Sequence, residues 1–115
     1  MQKPDDLLRL RHMVDSAQEL KALCKGKTKR DFFKDRKLNL AAVRLLEIIG
    51  EAANKVTPDF QITHPAIPWP EVISMRNRLI HGYESVDLNI VWQIIRSDIP
   101  KLISAVESVL KEKTR

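Results

Sequence analysis

The chain has 115 residues, of which 43% are hydrophobic and six aromatic, and it carries a formal net charge of +5 with a single cysteine. This length supports one core and is short for two, so a single domain over 1–115 is expected. No apolar run reaches the ~18 residues that cross a bilayer, and Met1–Asp6 turns acidic without an apolar signal core. Cys24 has no partner for an internal disulfide, so the expectation is a cytoplasmic protein with no membrane contact.

Helical spacing runs through almost the whole chain, with no repeat and no low-complexity tract. Leu10, Met13, Ala17, Leu20 and Cys24 step by three and four and predict a first helix over 5–24, with Asp5 or Asp6 at its start and Gly26 ending it. Cys24 lies in that apolar stripe and reads as a small buried hydrophobe rather than a nucleophile. Thr28 to Asp31 offers a cap for a short helix whose Phe32 and Phe33 anchor the segment to the core. Leu38 to Val56 is the most apolar helix, with Leu38, Ala41, Leu45, Ile49, Ala52 and Val56 on one stripe, so it is placed at the centre. Gly50 within it costs about 1 kcal/mol relative to alanine, which suggests a close helix contact.

Pro58 ends that helix, and Pro58, Pro65, Pro68 and Pro70 predict an extended loop. Pro68 and Pro70 suit the first turn of a helix over 68–81, where the missing amide protons do no harm. Trp69, Val72, Ile73 and Ile80 would face inward, and Gly82 would stop the helix in a left-handed conformation. Asp87 caps a last helix built on Val91, Ile95, Ile99, Leu102, Val106 and Val109, which Pro100 is expected to kink or break. Strand signals are absent. The predicted fold is all-α: an up-down bundle of four long helices plus one short one.

The charge is concentrated. Lys25, Lys27, Lys29, Arg30, Lys34, Arg36 and Lys37 face only Asp31 and Asp35 in the segment 25–37, seven minus two or +5, and the remaining thirteen basic and thirteen acidic residues cancel. A concentrated positive field favours a polyanion such as RNA; a solvated inter-helix loop explains it equally well.

Arg76-Asn77-Arg78-Leu79-Ile80-His81-Gly82-Tyr83 gathers the chemistry. Arginine grips phosphate through a planar fork, and histidine moves protons near neutral pH. On one helix Asn77 and His81, four apart, share a face. Arg76 lies about 100° away from Asn77 but is long enough to reach the same side. A bend at Gly82 would return Tyr83 to His81. The helix C-terminus carries partial negative charge, so Arg76 and Arg78 must supply the attraction for phosphate. Singly, each residue has an ordinary reading, with His81 as a C-terminal cap and the others as surface side chains. Together they converge on one small cavity. His12 and His64 make no metal-ligand spacing with His81, and no zinc site is expected. Glu47 and Glu51, four apart on the central helix, either orient Arg76 or His81 or pair with Arg44 or Lys55 at the surface.

The same stretch resembles the Arg-x4-His-x-Tyr signature of the HEPN superfamily in its HepT-like form. Pro68-Trp69 before it, Asp87-Leu88-x-Ile90-Val91-Trp92 after it, and Arg44-x-x-Glu47-x-Ile49-Gly50-Glu51-Ala52 on the central helix resemble the family in the same order. The resemblance implies a metal-independent ribonuclease without a cofactor, the toxin of a toxin–antitoxin pair. It implies that Arg76 and His81 are catalytic, with Asn77 supporting them in the catalytic group; Arg78, from its charge, is expected to contact RNA. Tyr83, the sole tyrosine, would be the residue to which a minimal nucleotidyltransferase antitoxin transfers AMP. A non-catalytic HEPN dimer that binds such a partner and nucleotide or RNA is the alternative.

Cleavage without metal requires attack by a 2′-hydroxyl on the neighbouring phosphate, one group to take its proton and another to protonate the leaving oxygen. One chain offers one well-placed histidine, so a homodimer with a composite site is expected.

Overall fold

The structure, a computed structural model, describes residues 4–81 and 85–113, with backbone alone at Pro4, Ile80 and His81. The helical spacing becomes helix α1 (Pro4–Cys24), α2 (Lys29–Lys34) and α3 (Arg36–Asn54), followed by α4 (Pro58–Thr63), α5 (Trp69–Ile73) and α6 (Met75–Leu79). Strands β1 (Ile80–His81) and β2 (Ser85–Val86) come next, then α7 (Leu88–Gln93), a wide π turn (Ile94–Asp98) and α8 (Ile99–Lys113). The chain is all-α apart from that two-rung ladder. Among the described residues no helix is long and apolar enough to cross a membrane.

Burial explains the arrangement. α3 runs along α1, and α1 along α8. Leu10, Met13, Ala17 and Leu20 of α1 meet Leu46, Ile49 and Ala53 of α3 and Ile99 and Val106 of α8 in one cluster, each with no accessible surface. Cys24 is part of it, and burial pushes its thiol pKa up. Gly26 takes φ +75° just past α1, the stop expected of it.

Asp6 lies in the first turn of α1, at its start as expected. It is buried there, and its carboxylate accepts from the Thr57 amide at 2.9 Å and the Thr57 hydroxyl at 2.7 Å. This ties the start of α1 to the start of α4, a contact invisible from local sequence. The cap on α2 is a full capping box, Asp31 N to Thr28 Oγ1 at 3.1 Å and Thr28 N to Asp31 Oδ2 at 2.9 Å. Phe32 alone anchors that helix, 5.3 Å from Trp92 between ring centroids, whereas Phe33 stays 38% exposed beneath the Lys29 ammonium. α3 starts two residues before Leu38 because Asp35 accepts from the Leu38 amide.

Two expectations change in the second half. The proline-rich stretch holds the short helix α4, with Pro58 at its first position, where no amide is needed. The helix predicted over 68–81 is two five-residue helices: Ser74 donates its hydroxyl to the Pro70 carbonyl at 2.7 Å at the junction. It ends at Leu79, whose carbonyl accepts from the Asp87 amide at 2.9 Å. Trp69 and Val72 are buried as expected. Pro100 interrupts the last helix as expected: regular α-helix stops at Gln93 and resumes only at Ile99. The turn before it widens, Ile99 N bonding to Ile94 O, and α8 continues with Pro100 in its first turn, where it has no amide to satisfy. Gly50 meets its expectation: a Cβ there would lie 3.1 Å from the Val72 carbonyl and 3.6 Å from that of Ile73. The motif segment therefore rests directly on α3.

Candidate active site

The site is built on α6. Met75 and Leu79, four apart, are 2% and 0% exposed and pin the helix to the core. That orientation turns Arg76 and Asn77 to solvent, with Arg78 half-buried. A five-residue helix has little stability of its own. Its position comes from those two anchors and from the seat of α5 on Gly50.

Arg76 is 70% exposed, and its Nε lies 3.5 Å from Glu47 Oε2 on α3. Glu47 is itself only 23% exposed, and its other oxygen is 3.9 Å from Arg44, which pairs with Glu51 at 3.2 Å. Both readings of Glu47 hold at once: it is the surface partner of Arg44 and the carboxylate that meets Arg76. The contact takes the Nε edge of the guanidinium. Among the described residues no hydrogen bond or ion pair engages its two terminal nitrogens. A phosphate can be gripped by that remaining edge in bidentate fashion.

Arg78 points the other way. Its terminal nitrogen donates to Asp98 Oδ2 at 2.9 Å, linking α6 to the π turn. Nothing in the sequence announces this pair, since its members lie twenty residues apart and neither is in a motif with the other. Asn77 is exposed.

His81 sits in β1 rather than on the helix. Its backbone pairs with Ser85 while Ile80 pairs with Val86. The helix stops two residues earlier, so the four-residue spacing of Asn77 and His81 no longer places them on a common helix face. The ladder instead fixes the His81 backbone directly beyond α6, beside the strand that leads into α7. The side chains of Ile80 and His81, and all of Gly82 and Tyr83, lie outside the described residues. His64 is away from this region: its ring stacks on Phe60 at 4.0 Å, and its backbone carbonyl accepts from the Trp69 indole at 3.0 Å. Among the described residues no three His, Cys, Asp or Glu side chains gather as metal ligands would.

Beside Glu47 a groove of about 390 Å³ runs between α3 and the segment β2–α7. Leu40, Val43, Val86 and Leu88 line its apolar part, and Arg36 and Arg44 its charged rim.

Comparison with known proteins bears on the family of the chain. The model of a family described as ribonuclease HepT-like matches residues 13–109. A Thermococcus cleftensis protein named "Probable ribonuclease HepT" is 44% identical over 81 residues, 70% of this chain and 74% of its own. "Putative RNase TTE0752" of Caldanaerobacter subterraneus subsp. tengcongensis is 38% identical over 104 residues, 90% of this chain and 93% of its own. "Putative RNase MJ1380" of Methanocaldococcus jannaschii is 35% identical over 109 residues, 95% of this chain and 100% of its own. No solved structure matches the chain significantly.

Proposed function

The chain belongs to the ribonuclease HepT-like family, and from that premise we propose that it is a metal-independent endoribonuclease, the toxin of a toxin–antitoxin pair. The observation that carries this reading is the state of Arg76. Its guanidinium is exposed, met on one edge by Glu47 and open on the other, five residues before the motif histidine.

In this reading Arg76 binds the scissile phosphate and stabilises the charge that builds on its non-bridging oxygens, the effect that usually contributes most to catalysis in such a site. The 2′-hydroxyl attacks phosphorus, a new P–O2′ bond forms and the P–O5′ bond breaks. His81 of one copy takes the 2′ proton, and His81 of a second copy protonates the departing 5′ oxygen. Each residue is present once per chain, so the working unit is a homodimer with the motif segments near its two-fold axis. Asn77, exposed beside Arg76, supports the bound phosphate, and Arg78 adds positive potential from the side facing Asp98.

Tyr83 serves as the off-switch. A minimal nucleotidyltransferase antitoxin transfers AMP from ATP to its phenolic oxygen with loss of pyrophosphate. The added bulk and negative charge then exclude RNA. The whole chain acts as one HepT-like domain in the cytoplasm.

Induced expression of wild type and His81→Ala tests the proposal. Wild type is expected to arrest growth and to cleave RNA in the presence of a chelator, and His81→Ala to do neither while remaining folded. Equal behaviour of the two rejects the enzyme and leaves a non-catalytic binding dimer. Tyr83→Phe is expected to keep the fold and escape modification; AMP attached elsewhere on the chain would reject the switch.

A further inference from the structure

We infer that the groove between α3 and β2–α7 is the RNA subsite next to the scissile phosphate, with a base held against its apolar floor and flanking phosphates on Arg36 and Arg44. The inference rests on the ribonuclease reading and specifies where the substrate lies.

Three features of the groove fit a nucleotide chain. Its volume, about 390 Å³, falls in the range of small-ligand sites. Its lining divides by chemistry: Leu40 and Val86, 57% and 36% exposed, leave apolar surface uncovered, whereas Arg36 offers a guanidinium at the edge and Arg44 a second one, already paired with Glu51 at 3.2 Å. Its two ends lead to the right places. At one end Glu47 meets Arg76, and Val86 pairs with Ile80 next to His81. At the other end Arg36 lies inside the segment 25–37 that carries the whole net charge of the chain. Arg36 and Glu47 are eleven residues apart on one helix, about 16 Å at its rise per residue. A bound strand would therefore extend from Arg76 along α3 into the basic segment, which explains why that charge is concentrated there.

A second copy of the chain is the competing occupant, and electrostatics disfavours it. A two-fold contact sets a face against itself. A copy docked along the whole groove would have to cover Arg36 and the edge of the basic segment, and taking unpaired charges out of water is costly. Among the described residues Arg36 makes no ion pair that would neutralise it.

The test uses the full chain and a fluorescent single-stranded 2′-O-methyl RNA, which binds but lacks the attacking hydroxyl. Arg36→Glu and Leu40→Asp are compared with Lys111→Glu, which makes the same charge change as Arg36→Glu on α8, outside the groove. Arg36→Glu is expected to weaken binding about tenfold and to lower the salt dependence by about one phosphate contact, Leu40→Asp to weaken it several-fold, and Lys111→Glu to change it less than twofold. Arg36 is the first residue of α3 and accepts glutamate readily there; circular dichroism checks that both variants fold. Equal weakening by Arg36→Glu and Lys111→Glu, or no binding by wild type, overturns the inference. So does a Leu40→Asp variant that falls from dimer to monomer in analytical ultracentrifugation, since the second copy would then hold this face. Binding at the groove without cleavage of unmodified RNA rejects the enzyme and keeps the subsite. Cleavage that Arg36→Glu and Leu40→Asp leave unchanged rejects the subsite and keeps the enzyme.

Discussion

The α1–α3–α8 framework and the motif segment 68–87 are held in different ways. The framework is cohesive through shared apolar area: Leu46 and Ile49 on α3 and Ile99 and Val106 on α8 have no accessible surface, and long helices spread that burial over many turns. The motif segment is a chain of short pieces, each anchored by one or two buried residues (Trp69, Val72, Met75, Leu79) and set by individual contacts, namely the close approach at Gly50, the Ser74 hydroxyl, the Arg78–Asp98 pair and one carbonyl bond to Asp87. Stability is concentrated in the first region and exposed polar chemistry in the second. A site that must grip phosphate needs uncovered charge, and uncovered charge contributes little to folding.

Substitutions in the two regions should therefore separate. Leu46→Ala leaves a cavity in the framework and is expected to cost about 2–5 kcal/mol of stability, read by chemical denaturation, with cleavage per folded molecule retained. Arg76→Ala is expected to lower kcat by about 10²–10³-fold with almost no change in Tm, because the side chain is mostly in water and its ion pair is a surface one. A variant that lost both together would show that the regions are not separable. Gly50→Ala probes the join. Its new methyl would press on the Val72 carbonyl, so about 1–3 kcal/mol should be lost and kcat should fall as well, through displacement of the motif segment. Thr28→Ala removes half of a capping box far from that join and should cost about 1 kcal/mol with activity intact. The smallest effect is a pH dependence at the same cap. The Thr28 amide and hydroxyl hold the Asp31 carboxyl below its usual pKa. A depressed folded-state pKa means that the stabilisation is present above the ordinary aspartate range and is lost as pH falls through the folded value. Thr28→Ala keeps the amide, the larger cause, and removes the hydroxyl, so it should flatten that acid limb only in part; an unchanged limb would show that the hydroxyl does not contribute.

Much of the framework could be read directly. Leu10, Met13, Ala17, Leu20 and Cys24 are all buried in the positions their spacing assigns. Gly26 and Gly50 each act as their setting suggests, one as a left-handed stop and one as a point of close approach. The motif segment was legible in content but not in form. Spacing cannot foresee that Leu79's carbonyl turns to Asp87, nor that a ladder between residues 80–81 and 85–86 replaces the last helical turn. Asp98 and Asp6 gave no signal either, since each finds its partner through packing of remote elements. Phe33 is a case of the opposite kind: an aromatic beside a buried neighbour, left 38% exposed because a six-residue helix has only one buried face.

The residue order by itself determined that the chain is helical and where its central helix lies, and it singled out the residues proposed to carry the chemistry. Periodicity, caps and side-chain type are local properties, legible within a few turns. Tertiary structure alone decided that Glu47 meets Arg76, that Arg78 turns to Asp98, and that a groove joins the motif to the basic segment. Those contacts join residues twenty or more positions apart or lie between separate elements. Their energies are realised only after the core has brought α3, α6 and the last helix together.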